Sequence, residues 1–465
     1  MQLARKILFY FFVLAYLVLC PLLIFYSLGY IYQPKKKDIS QTGLIHLVSI
    51  PAGAQVYLDG RRFKDKTPAT ISELNPGSYR VKLRLKNRRP WVHEVTVKAG
   101  KSAAFKNILL LPHSFDKTTI GPKRVYTNLY SLKNSDYLIV QQGPRLKEFY
   151  VYDLAEKSLK TIIDKDSQYA ELAVERLFSA AGSTYLIIYG GSLWDRQYLL
   201  IDFKEKKPGL KEISRLFSRH PDWLVWSEDL PEDIFSIYGV GLDRLDIKNL
   251  SLYPQYFENI KGFGLMDKQF YVLGKDNLIR KLSLDKQEEA ILFEDEHLGR
   301  ELFAKSGFYR IEPLNKDKLI FWGRRGDLVM TVPPYAIFDQ GVLGMEYERF
   351  NSRLLFWTKH DIWLAEFNGQ AQDDVLFRQR LRLNKIYEGG FNLSQCFWVY
   401  SASNLLLKDK TEIYLLGLTP DGRHHREHIV SAKQNTEVFY YEPEGCLYYL
   451  DKKGALVKLK LLAAD

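Results

Sequence analysis

From residue 113 to residue 465, about 350 residues, the chain repeats one unit: a short apolar strand, a turn, a second strand ending in an acidic or polar residue, and another turn. Residues 137–140 (YLIV) lead to 149–154, 185–189 to 198–203, 354–357 to 361–367, 397–400 to 412–416, and 445–450 to 456–460. About seven or eight such units recur roughly every 35 to 50 residues, the period of four-stranded propeller blades rather than of helical solenoids. Radial closure would also hide apolar strand edges that an open sheet of this size would leave exposed. The rival arrangement is two β-sandwiches in tandem. Residues 222–256 read as the least regular blade, and 288–305 as a more helical inter-blade insertion.

Residues 43–112 follow a different rule. Leu44, His46, Val48 and Ile50 alternate with polar neighbours, as do Val56 and Leu58, then Tyr79, Val81, Leu83 and Leu85, then Trp91, His93, Val95 and Val97. Pro51-Ala52-Gly53, Asp59-Gly60, Asn75-Pro76-Gly77 and Ala99-Gly100 supply the turns between them. Period-two strands without a helical stretch specify a small antiparallel sandwich.

The amino-terminal stretch 7–32 carries no charge over 26 positions, roughly 39 Å as a helix, against about 30 Å of bilayer hydrocarbon. Tyrosines near both ends and flanking Arg5, Lys6, Lys35, Lys36 and Lys37 suit a membrane span. It is too long for the apolar part of a cleaved signal peptide and lacks a small-residue exit site. Residues 1–6 are read as a short inside tail, 7–32 as a transmembrane helix and 33–42 as a stalk, with the later domains, 43–112 and 113–465, outside. The fold class expected is therefore all-β apart from one N-terminal transmembrane helix: a small β-sandwich, then a β-propeller of about seven blades.

The sandwich stretch resembles a known family, the PEGA domain. The resemblance lies in residues 49–60 (SIPAGAQVYLDG), Thr67-Pro68, residues 74–79 (LNPGSY), Trp91 and Ala99-Gly100. Ala52 stands where the family has glutamate, and Lys66 where a glycine often precedes the Thr-Pro pair. The resemblance implies an extracytoplasmic β-module without catalytic residues. The repeat region broadly resembles tryptophan–aspartate and TolB-like propellers, and that likeness carries no function with it.

Charge is distributed unevenly. Residues 1–112 hold 18 Lys and Arg against 5 Asp and Glu, a net +13, and the remaining chain is nearly neutral at 48 against 50. Alternation along 79–86 places Arg80, Lys82, Arg84 and Lys86 on one strand face, with Arg88 and Arg89 following. These six are the candidate polyanion-binding residues, for anionic lipid or cell-wall polymer, with an ordinary solvated strand face as the plain alternative. Nucleic acid is not an expected partner, because the aromatics that could stack on bases belong to the core pattern.

No reaction is named by any motif. Three cysteines (Cys20, Cys396, Cys446) exclude a disulfide scaffold and a cysteine-rich metal centre, and Cys396 and Cys446 are expected as buried free thiols in different blades. His424, His425 and His428 follow a Pro420-Asp421-Gly422 turn and are expected to splay as exposed loop histidines. Residues 164–166 lack the remaining ligands of a calcium loop, and 294–297 read as a charged inter-blade loop. Trp223, Trp226, Tyr440 and Tyr441 read as blade-core packing. No catalytic residue, cofactor or metal is expected. The function expected is non-enzymatic: a membrane-anchored envelope protein whose propeller binds a protein or glycan. The alternatives are a propeller hydrolase or lyase acting on envelope polysaccharide, and a sensor or assembly factor for another membrane protein.

Overall fold

The computed structural model describes residues 2–27, 29–33, 38–122, 124–132, 135–179, 185–192, 195–202, 209–217, 219–227, 229–293, 295–314, 318–331, 335–348, 352–367, 381–400, 403–419 and 422–462. Lys35, Lys36, Lys37, Glu294, Pro420 and Asp421 lie outside them.

Helix α1 spans Gln2–Ser27, starting and ending earlier than the apolar run suggests. It stops before Gly29, whose φ of +79° is left-handed. Strand β1 (Tyr30–Gln33) then pairs antiparallel with β2 (Asp38–Gln41), so a hairpin stands where a stalk is expected. Thr42 ties the hairpin down: its backbone N–H and its hydroxyl donate to the Gly29 carbonyl at 2.8 and 2.9 Å. From Phe9 to Pro21 the side chains of α1 are exposed almost all round. Among the described residues, no helix is long and apolar enough to cross a membrane.

The sandwich is built from β3 (Gly43–Ile50), β4 (Gln55–Leu58), β5 (Arg61–Lys66), β6 (Ala69–Leu74), β7 (Gly77–Arg84), β8 (Trp91–Val97) and β9 (Ser102–Leu109). One sheet has the order β6-β3-β9, with β3 and β9 parallel, and the other has the order β5-β4-β7-β8. Inward residues Ile45, Leu47, Val56, Val81, Leu83, Trp91 and Phe105 form one core between the sheets. Thr67 braces the first turns by accepting from Ala54 N–H at 2.9 Å and bonding the Ser49 hydroxyl at 2.6 Å.

With β10 (Asp116–Thr119), the later described strands form six four-stranded sheets and one eight-stranded sheet, 260–338, whose antiparallel halves join through parallel pairing of Ile260–Met266 with Tyr309–Pro313. We label the sheets and the two halves blades I to VIII: 128–161, 174–212, 223–257, 260–293, 309–338, 344–387, 393–431 and 439–460. Strand β10 supplies the fourth strand of blade VIII, pairing with Leu456–Lys460. Residues 223–257, close to the stretch read as the least regular blade, form the four-stranded blade III, with a register shift between Leu242 and Arg244. The insertion between blades IV and V holds the short helix α2 (Glu296–Leu302), capped by Asp295 accepting from Leu298 N–H at 2.9 Å.

Closure into a ring follows from packing. In the middle strands, successive side chains point to opposite neighbours. Ile139 joins a cluster with Ile188 and Leu199 of blade II, whereas Leu138 and Val140 join Tyr448 and Leu450 of blade VIII. Leu405 and Leu407 of blade VII pack toward blade VI, and Leu406 toward blade VIII. Such clusters occur between every consecutive pair of blades and again between VIII and I. Burial on both faces is why these strands read as unbroken apolar runs rather than alternating ones. Cys396 and Cys446 are buried free thiols in two of these clusters.

The sandwich docks on blade VII. Leu109 and Leu111 enter the cluster between blades VII and VIII. Asn107, held at φ +59°, donates to the Ser403 hydroxyl at 2.8 Å. Arg89 pairs with Glu427 at 3.3 Å, and Arg423 reaches back to Glu94 at 3.4 Å and Thr96 at 2.9 Å. The space left along this junction is about 30 Å³, enough for only a water or two.

Candidate functional site

A blade stacked on both sides can present chemistry only at its strand ends and edges. A large concavity lies where the first strands of four blades meet: Asn128–Ser131 of blade I, Gly344–Glu348 of VI, Leu393–Val399 of VII and Phe439–Tyr441 of VIII. It encloses about 560 Å³, within the range of ligand pockets. Its walls are aromatic, with Trp357, Phe397, Trp398, Phe439, Tyr440 and Tyr441, and its polar groups include Asp136, Glu346 and Glu442. No Lys or Arg is among the described residues that line it.

Hydrogen bonds between blades hold this wall. Glu346 accepts from the Trp398 backbone N–H at 3.1 Å, joining VI to VII. Gln395 accepts from Val438 N–H at 2.7 Å, joining VII to VIII. Tyr441 donates to Asp136 at 2.9 Å, and Glu437 accepts from the Ser131 N–H and hydroxyl, each at 2.8 Å, joining VIII to I. The Arg353 guanidinium lies 4.6 Å from the Trp398 ring centroid and pairs with Glu348 at 3.4 Å. Burial pushes the Tyr400 hydroxyl up to about 12 and that of Tyr440 higher still, and it raises the Cys396 thiol well above its usual range. These groups therefore stay protonated near neutral pH.

A second recess of about 350 Å³ between blades II, III and V has the opposite character. Arg176 and Arg324 line it with Trp223 and Trp322. Arg324 pairs with Asp222 at 3.3 Å, and the Gly239 N–H, followed by Arg324, holds the Asp222 carboxyl below the usual range. Nearby, burial and then Arg196 and Arg176 lower the pKa of His220, whose Nδ1 lies 2.6 Å from the Tyr198 hydroxyl.

The anticipated cationic row is present in part. Arg80, Lys82 and Arg84 share the outer face of β7, Arg80 opposite Glu94 and Lys82 opposite Tyr57 and Val92. Arg80, Arg84 and Lys86 are exposed and Lys82 is half-buried. The register adds Arg62 opposite Tyr57, and Lys66, with Arg84, opposite Gln55. Arg88 and Arg89 do not belong to the row. Asn87, at φ +60°, breaks the alternation; Arg88 turns inward to the Leu110 carbonyl at 3.3 Å. Arg89 bonds Glu427 and the His428 carbonyl and lies 5.2 Å from the Phe115 ring centroid.

The histidine-rich segment is a strand, His425–Ser431, rather than a loop. His425 bonds Glu427 at 3.1 Å and His428 bonds Glu412 at 2.6 Å, so the two rings serve separate carboxylates. Tyr440, Tyr441 and Trp223, read from the sequence as core packing, do pack against inter-blade clusters and line recesses as well.

Among known families, one model covers the sandwich. Residues 42–109 match the PEGA domain. The departures at Ala52 and Lys66 thus leave the PEGA fold intact. A search of curated proteins finds no match. Among solved structures, BamB from Moraxella catarrhalis is similar at 11% identity and TM-score 0.44, over 74% of this chain and 100% of that one. The WD40 domain of SCAP from fission yeast is similar at 10% identity and TM-score 0.42, over 74% and 97%. The β-propeller domain of Cps50 (Swd1) from Myceliophteria thermophila is similar at 12% identity and TM-score 0.39, over 75% and 100%. The propeller assignment beyond the PEGA domain rests on the ring of inter-blade clusters, not on these likenesses.

Proposed function

We propose that this chain is a membrane-tethered recognition protein of the cell envelope, with no bond-making chemistry of its own. The observation that carries the reading is the aromatic and acidic cleft between blades VI, VII, VIII and I, whose Tyr440 and Tyr441 hydroxyls and Cys396 thiol are raised above their usual ranges and remain protonated. Neutral groups of this kind offer shape, stacking and hydrogen bonds rather than an activated nucleophile. Its partner is an envelope protein or glycan.

The uncharged run 7–32 and the outward-facing Phe9, Phe11, Phe12, Leu14 and Leu17 of α1 support a single-pass tether. In this reading the N-terminus is inside, and the PEGA domain and propeller are extracytoplasmic. The row Arg80, Lys82, Arg84 and Lys86, widened by Arg62 and Lys66, lies against anionic lipid or wall polymer, where each cation contributes about 1 kcal/mol.

A photo-crosslinking residue at Phe397, placed in the full chain in intact cells, tests the reading. A discrete protein or glycan adduct in the membrane fraction is expected. Absence of any adduct removes the recognition role. Protease shaving of a C-terminal epitope tests the topology, and full protection in intact cells overturns it.

A further inference from the structure

We propose that the outer face of β5, β4 and β7 binds an acidic polysaccharide, a chain of sugar rings bearing carboxylates, laid along β4. The inference rests on the polyanion role given above to the cationic row and names its ligand chemistry. Val56 and Leu58 point into the core, so Gln55 and Tyr57 face outward along β4. The register sets Lys66 and Arg84 on either side of Gln55, and Arg62 and Lys82 on either side of Tyr57. Two rails of cations thus run about 10 Å apart, two strand spacings, with rungs about 7 Å apart along the strands. Among the described residues, none of these four cations forms an ion pair. Glu94, an acid on the same face, lies one rung further on, opposite Arg80, and takes Arg423 of blade VII at 3.4 Å. The Gln55 amide donates to the Phe63 carbonyl at 2.7 Å, which ties the irregular stretch of β5 to β4 and holds Arg62 and Lys66 beside the groove.

Two observations choose a sugar chain over the bilayer surface. The half-buried Tyr57 forms the floor between Arg62 and Lys82. An aromatic face stacks on the apolar face of a sugar ring while the flanking cations take its carboxylates, whereas a layer of phosphate headgroups uses the charge and leaves the ring unused. Position gives the same answer. The helix and hairpin join the domain at the other end of this sheet, where the Gly100 N–H donates to the Thr42 carbonyl at 3.0 Å and Val97 pairs with Gly77. From Gly77, Lys82 and Arg84 lie about 17 and 24 Å further along β7, against a screening length of about 8 Å at physiological ionic strength. A bilayer held at the hairpin end is screened from these rungs, and a soluble chain is not.

The test immobilises polygalacturonate and measures binding of the full chain in a neutral detergent. Methyl-esterified polygalacturonate controls for charge, and polyglutamate, as a competitor, controls for the sugar ring. The acidic polymer should bind at least about tenfold more tightly than its methyl ester, with affinity falling as salt rises. Polyglutamate of equal charge should compete at least about fivefold less well than free polygalacturonate. Arg62→Gln combined with Lys66→Gln should weaken binding by about tenfold. Tyr57→Leu should weaken it by about threefold or more and leave retention on acidic vesicles, which reads charge alone, unmoved. Arg62 and Lys66 are exposed, so the result does not depend on the fold tolerating Tyr57→Leu. Equal binding of the methyl ester, equal competition by polyglutamate, no binding at all, or displacement by anionic phospholipid micelles at lower charge concentration would overturn the proposal. Loss on replacing Arg80, Lys82, Arg84 and Lys86, with none on replacing Arg62 and Lys66, would remove the paired rails and leave the polyanion role of the row. A row whose replacement changes neither polymer nor vesicle binding would remove that role itself.

Discussion

The PEGA domain and the propeller are both β-structure, yet they expose themselves differently. In the PEGA domain each sheet buries one face, so β3 alternates between buried and half-buried residues along its length. In the propeller the middle strands are buried on both faces; Phe149–Asp153 and Cys446–Leu450 are buried throughout. A one-faced sheet can display a row of side chains on its open surface, and β7 displays cations. A two-faced blade has no open surface to spend, so its chemistry gathers where strand ends converge, as in the cleft. Open strand faces also hold most of the excess charge of residues 43–112, 13 Lys and Arg against 4 Asp and Glu, a net +9.

The contrast can be broken or sharpened by measurement. The largest effect is expected inside the ring: Leu406→Ala, at a fully buried position between blades VII and VIII, should cost about 2–5 kcal/mol in urea unfolding. A cost under about 1 kcal/mol would mean that the blades are not packed face to face. Next, replacing Arg80, Lys82, Arg84 and Lys86 together with glutamine should remove roughly 3–4 kcal/mol of binding to acidic vesicles, read by co-sedimentation. Unchanged retention would leave the row as a solvated strand face.

Lys408 provides a pH test. It is fully buried, donates to the Lys433 carbonyl at 3.0 Å and to the Thr436 carbonyl, and burial lowers its pKa to about 8. Its folded pKa lies below its unfolded one, so between about pH 8 and 10.5 the unfolded chain binds the extra proton. Stability should therefore rise with pH in that window, by about 1.4 kcal/mol per unit. Lys408→Met should abolish the slope in melts followed across the window.

Smaller still is the junction. Arg89→Ala should cost about 1 kcal/mol and hasten limited proteolysis between the two bodies. Burial opposes ionisation of Glu427, but His425 and Arg89 together hold its carboxyl below the usual range. Its contribution is present above the unfolded carboxylate pKa and is lost as pH falls through the lower folded value, so acid should loosen the junction before the blades. At the bottom of the scale, Arg84→Ala alone should change stability by less than about 0.5 kcal/mol.

Local periodicity made the PEGA domain and the strand pairs of the blades readable, because each depends on neighbours close in sequence. The cleft was not readable. Asp136 and Tyr441, which bond across it, are 305 positions apart, and only ring closure brings them together. Tyr440 and Tyr441 look like core residues because paired tyrosines carry no sign of which end of a strand opens on a cavity. The place of Arg62 and Lys66 beside the row is not legible in the sequence, because the register of β4 on β5 shifts between Gln55 and Tyr57. Arg88 and Arg89 looked continuous with the row until Asn87 turned the backbone.

One consequence of strand β10 concerns how the molecule is made. Its partner in blade VIII, Leu456–Lys460, emerges from the ribosome more than 300 residues later. Contacts of such separation form slowly and cannot nucleate assembly. During synthesis the earlier blades therefore wait as an open arc, with β10 as an unmatched seam, until the last strands arrive to fasten it.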